Sequence, residues 1–142
     1  MKSEDLADLE TFKGMECLYI ERPMIFATKV IDFEIVGENI TVRMLTTSPL
    51  VCKYKFFQKK DEDIADKWLP SPHAATDIWK ISMPIAHAFI ESSTKIYFGS
   101  NYGMGMRLYF IPEFVERFKE KDLSWWGELE NYGRVQRSDE SE

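Results

Sequence analysis

TKIYFGSNYGMGMRLYFI, residues 94–111, is the stretch on which the reading of the fold turns. Three glycines, Gly99, Gly103 and Gly105, fall within seven positions. A glycine-rich run of this kind can cradle phosphate, but only where a strand leads in and a helix follows, since the helix N-terminus supplies the dipole and the free N–H groups. Here both flanks alternate with a period of two. Ile96 and Phe98 share one face, and Met106, Leu108 and Phe110 share another. The lysine of a GxxxxGK[ST] loop is missing, and GxGxxG is not matched. The stretch therefore predicts a β-hairpin whose glycines supply positive φ in the loop and room for a bulge.

Working back from the hairpin, the same alternation recurs. MIFATKVIDFEIV (24–36) places Ile31, Phe33 and Ile35 against Asp32 and Glu34. ITVRMLT (40–46) sets Ile40, Val42 and Met44 against Thr41 and Arg43, and LVCKYKFF (50–57) sets Leu50, Cys52, Tyr54 and Phe56 against Lys53 and Lys55. Such alternation predicts antiparallel strands with one wet face. Gly37 to Asn39 and Ser48-Pro49 read as their connections. MECLYI (15–20) and residues 77–83 add further strands. Residues 84–91 fit either a helix started by Pro84 or an edge strand, with the strand preferred.

Helical period appears at three places. Leu6, Leu9 and Phe12 behind Ser3 predict a short helix or arm over 1–13. Asp61 caps a short helix carrying Ile64, Ala65, Trp68 and Leu69, before Pro70 and Pro72 enforce a loop. Pro112 starts a helix with Phe114, Val115 and Phe118 buried. A second turn follows with Trp125, Trp126, Leu129 and Tyr132, closed by Gly133. Adjacent tryptophans on a helix point about 100° apart, so one of the pair is expected in the core and the other can face out.

These elements predict one α+β domain over 14–133: a curved antiparallel sheet or partly open barrel of about seven strands, with C-terminal helices packed on it. Residues 134–142 read as a disordered polar tail. The chain of 142 residues suffices for one core.

The net charge is −6, from 24 acids and 18 bases. That disfavours duplex DNA and anionic membranes and suits a basic protein partner. The N-terminus is acidic, unlike a secretory signal, and no apolar run is long enough for a membrane span, so a cytoplasmic location is expected. Cys17 and Cys52 sit in apolar segments and read as buried, reduced thiols. With His73 and His87 they are too scattered to suggest zinc, and the acidic run 61–66 lacks the glycine and distal glutamate of a calcium loop. No metal or cofactor is expected. No nucleophile–base signature is legible, so an enzyme is not the preferred class.

Three binding readings remain. The preferred one is a non-enzymatic acidic protein-binding factor, an inhibitor or neutraliser of a basic partner, using Asp61, Glu62, Asp63, Asp66 and Trp68. The second is a single-stranded nucleic-acid binder using Arg43, Lys53, Lys55, Phe57 and Lys59 on a lysine-aromatic strand. The third is a carrier of a small apolar ligand inside the sheet, lined by the methionines and aromatics that would otherwise fill a solid core.

Overall fold

A computed structural model describes residues 5–21, 24–54, 65–73, 77–99 and 105–129. Among them the chain forms nine strands in one sheet: β1 (Glu16–Glu21), β2 (Met24–Val36), β3 (Asn39–Thr46), β4 (Leu50–Tyr54), β5 (Ala65–Pro70), β6 (Trp79–Pro84), β7 (Ala88–Ser92), β8 (Lys95–Gly99) and β9 (Gly105–Tyr109). Two α-helices flank them, α1 (Leu6–Leu9) and α2 (Pro112–Lys119). Every strand pairing is antiparallel, and the main path runs β5-β4-β2-β1-β9-β8-β7. The sheet is open, with two strands more than the alternation suggested.

β2 is the spine. Its first half pairs with β1 along one edge, from Glu16 opposite Lys29 to Glu21 opposite Met24. The other edge is shared, with β3 covering Thr28–Val36 and β4 covering Met24 and Ile25. β3 and β4 thus lie end to end, joined where Thr47 N–H donates to the Ala27 carbonyl at 2.9 Å. Ser48-Pro49 breaks the chain there without a reversal, because Pro49 has no N–H to continue the ladder. A bulge between Val30 and Asp32 makes Ile31 the extra residue. Straight alternation would put Val30 and Phe33 on opposite faces. The bulge returns both to the core, opposite Met44 and Val42.

Bending of the sheet produces two cores, one on each face. The inner contains Phe12, Cys17, Tyr19, Phe26, Val30, Ile40, Val42, Met44, Ile96, Phe98 and Leu108. The outer contains Leu18, Ile20, Ile25, Ala27, Cys52, Tyr109, Phe114, Val115, Phe118 and Trp125. β1 is consequently buried on both sides from Cys17 to Ile20, which explains why CLYI is apolar throughout rather than alternating. Cys17 and Cys52 are fully buried, are not joined in a disulfide, and belong to opposite faces. Burial pushes the Cys17 thiol up, so it stays protonated.

Helix α2 is the lid of the outer core. Pro112 begins it, as the sequence predicts, and Phe114, Val115 and Phe118 point inward. Lys119 fastens it to β1 through a 2.6 Å ion pair with Glu16. Burial by itself would raise the Glu16 carboxyl. The Lys119 bond, the Thr47 hydroxyl and the nearby Lys119 and Lys29 charges outweigh it and hold Glu16 below its ordinary value of 4.5. The Thr47 hydroxyl falls short of a well-formed hydrogen bond in doing so.

Several expectations are corrected. The segment expected as a helix around Trp68 is strand β5, paired with β4 from Leu50 opposite Pro70 to Tyr54 opposite Ala65. The open edge of β4 supplies hydrogen-bond partners that an isolated short helix lacks. Residues 84–91 divide: a 3-10 turn at Ile85–His87, then β7. After α2 the described residues hold a 3-10 turn, Trp126–Glu128, followed by a helical Leu129, and the rest of the second helix expected up to Gly133 lies outside the described residues. Trp125 is fully buried, stacks on Phe114 and donates its indole N–H to the Asp122 carbonyl at 2.7 Å, while Trp126 is half-buried.

Phe118→Ala is expected to cost about 3–5 kcal/mol, the usual loss for a deleted core phenylalanine, read from urea denaturation. A loss below about 1 kcal/mol would show that α2 does not close the outer core. Glu16→Gln tests the clasp. A carboxyl with a lowered folded pKa contributes stability in full above its unfolded pKa and loses it as pH falls through the folded one. The stability gap between wild type and this variant should therefore be constant near neutrality and close as pH drops below 4.5.

Candidate functional site

The outer face is covered unevenly. α2 and Trp125 roof β1, β2 and the C-terminal end of β9. The row that continues outward from Ile20 is Arg107 on β9, Tyr97 on β8 and Phe89 on β7, in cross-strand register. Ile20 is buried, Arg107 and Tyr97 are half-buried, and Phe89 is 45% exposed.

Glycine seats this row. A Cβ on Gly99 would overlap the Tyr97 ring, and one on Gly105 would lie 2.7 Å from it. Gly99 and Gly105 face each other across the hairpin, and the Tyr97 ring lies over both. The hairpin reading of the glycine-rich stretch holds. The reason for these two glycines differs from expectation, because neither has positive φ. They leave space for an aromatic ring to lie flat on the sheet, which a side chain at either position would prevent. Positive φ is used elsewhere, at Gly14 and at Gly37 in the β2–β3 turn.

The Arg107 guanidinium sits 4.8 Å from the centroid of the Tyr97 ring, and the Phe89 ring stacks with Tyr97 at 6.2 Å. Arg107 differs from the other arginines among the described residues. Arg43 bonds Asp32 at 2.9 Å and Glu34 at 2.6 Å, and Arg117 pairs with Glu113 at 2.7 Å and Glu128 at 3.6 Å. Among the described residues Arg107 meets no carboxylate. Its neighbour Lys95 is buried, bonded to Glu91 at 2.9 Å, and lies over the Tyr109 ring. The row thus offers two aromatic faces and one uncommitted cation. It can bind an apolar group and an anion together.

The residues singled out from sequence fall largely outside the described part of the chain. Asp61, Glu62, Asp63, Lys55, Phe57 and Lys59 lie outside the described residues, as does the Asp66 side chain. Trp68 is half-buried, with its ring 5.1 Å from Phe118 under α2, so it packs against the outer core. Arg43 is committed to Asp32 and Glu34, which explains that acidic pair as a cross-strand ion cluster. Lys53 is exposed on β4. His73, expected as an exposed loop residue, is half-buried and stacks flat on Trp79, with centroids 4.2 Å apart, beside Phe26. A shallow groove of about 510 Å³ lies at the foot of α2, lined by Gly14, Met15, Glu16, Lys29, Thr47, Pro112 and Glu116. Among the described residues no three His, Cys, Asp or Glu side chains gather as a metal site, and no helix is long and apolar enough to cross a membrane.

Sequence reasoning missed the Arg107–Tyr97–Phe89 row. The signal was present: Tyr97 and Arg107 occupy the outward positions of the hairpin whose inward positions are Ile96, Phe98, Met106 and Leu108. Their pairing depends on register across the loop, which alternation alone does not set.

No protein-family model, curated protein or solved structure matches this chain.

Gly99→Ala is expected to lift Tyr97 off its seat and cost about 1–3 kcal/mol, the usual range for overpacking. In a Tyr97→Ala background the same change should cost little, so a double-mutant cycle shows coupling. Gly105→Ala should remain costly in that background, because its Cβ would also lie 2.9 Å from the Phe98 carbonyl oxygen. Additive single effects at Gly99 would overturn the seating.

Proposed function

We propose that this protein is a non-enzymatic protein-binding factor, of the inhibitor or neutraliser kind expected from its composition, and that it engages its partner through the outer face of β7, β8 and β9. The observation that carries the reading is the Tyr97 ring laid over Gly99 and Gly105 with Arg107 on it and Phe89 exposed beside it. Aromatic and arginine side chains are the residues that dominate protein interfaces, because they combine large apolar area with directional polar contacts. Tyr97 is also held in place by its glycine seat, so little rotamer entropy is lost on binding.

The same three residues could in principle stack nucleobases, as aromatic sheet faces do. Charge argues against it. Affinity for a single strand rises with the number of phosphates neutralised, and among the described residues the face offers Arg107 as its one cation outside an ion pair, in a chain of net charge −6. The acidic segment 61–66 stays a proposed second contact for a basic region of a partner.

The experiment is affinity capture from source lysate with wild type, Phe89→Ala, Tyr97→Ala and a charge-reversed 61–66 variant, each with and without nuclease. One dominant protein that survives nuclease and drops by about tenfold with either aromatic variant is the expected result, as for a hot-spot residue. Capture unaffected by both aromatic variants would overturn the assigned surface. Recovery of nucleic acid, with protein partners lost on digestion, would overturn the function.

A further inference from the structure

We infer that the segment this face receives is an acidic amphipathic helix, with an apolar side chain over Phe89 and Tyr97 and a carboxylate on Arg107. The inference rests on the reading of the face as a protein interface and adds the chemistry of the partner. Charge is the first argument. Arg43 and Arg117 each hold two carboxylates, whereas Arg107 holds none among the described residues and leans on a ring instead. A guanidinium lying on an aromatic ring keeps N–H donors at its rim free for a bidentate carboxylate. Lys95 does not compete, because it is buried against Glu91.

The second argument is continuity. Ile20, Arg107, Tyr97 and Phe89 form one row, and α2 with Trp125 already roofs its Ile20 end. The face is therefore shaped, over its covered half, for a helix lying on it. Neighbouring strands are about 4.8 Å apart, so Phe89 and Arg107 are separated by about 10 Å. A helix advances about 10.5 Å in seven residues, so the matching apolar and acidic side chains sit at i and i+7. The arrangement opposes a basic segment here, since a lysine at that position would meet Arg107.

The test is selection of a displayed random peptide library on immobilised full-length protein, run in parallel on wild type, Arg107→Glu and Arg107→Gln, with folding of each checked by amide NMR. A random RNA pool is selected beside it. On wild type, enriched peptides should carry an acidic residue seven positions from an apolar one and shift the amide signals of Phe89, Tyr97 and Arg107. Arg107→Gln should weaken a selected peptide by about tenfold, the scale of one charge-assisted contact. Arg107→Glu should replace the acid by Lys or Arg. An enriched motif without an acid, or one unchanged by Arg107→Glu, overturns this inference. If binding still needs Phe89 and Tyr97, the protein-binding reading survives that result; if it needs neither, both fall. Enrichment of no peptide, RNA selected on this face, or concentration-dependent self-association abolished by Arg107→Glu each overturns the helix in favour of another occupant.

Discussion

The thirteen-residue length of β2 governs everything else in the molecule. A strand this long cannot be matched by one neighbour on each side here, so its edges are divided among β1, β3 and β4. The bulge at Ile31 then lets one strand serve two orientations of the sheet while keeping Val30 and Phe33 in register with the core. Without it, the second half of β2 would turn Phe33 outward and Asp32 inward, an unpaired carboxylate in an apolar layer.

Two cores follow from that bend, and they demand a roof. The outer core is closed by α2, whose position is set by burial of Phe114, Val115 and Phe118 and by the Lys119–Glu16 pair. Eight residues of helix cover only part of a wide sheet. The remainder, over β7 to β9, is finished differently, with aromatic rings lying on glycine and an arginine lying on a ring. That is a way to protect backbone without a covering element, and it leaves side chains that can still bind.

Exposed groups elsewhere on the described surface are more ordinary. Val36 and Ile35 end the β2–β3 hairpin, and the Asp32–Arg43–Glu34 cluster occupies its outer face. A satisfied ion cluster of this sort contributes little stability and little recognition, because its charges are already spent on one another. The contrast with Arg107 is what distinguishes the two patches of the outer face.

Much of the architecture was legible in the residues themselves. Alternation identified the antiparallel strands, Gly37 to Asn39 marked a hairpin connection, Pro112 marked the start of α2, and the apolar spacing of Phe114, Val115 and Phe118 marked its buried side. These are local signals, carried by a few neighbouring residues. What failed was whatever needed a partner distant in sequence. Trp68 had helical spacing but lies in a strand, since the free edge of β4 was there to pair with it. Gly99 and Gly105 had the composition of a turn but answer to the Tyr97 ring. The cysteines were legible as buried, but not that they lie on opposite faces. The uncommitted charge of Arg107 was invisible for the same reason: whether a side chain is paired depends on register and on what folds over it, and only the assembled sheet decides either.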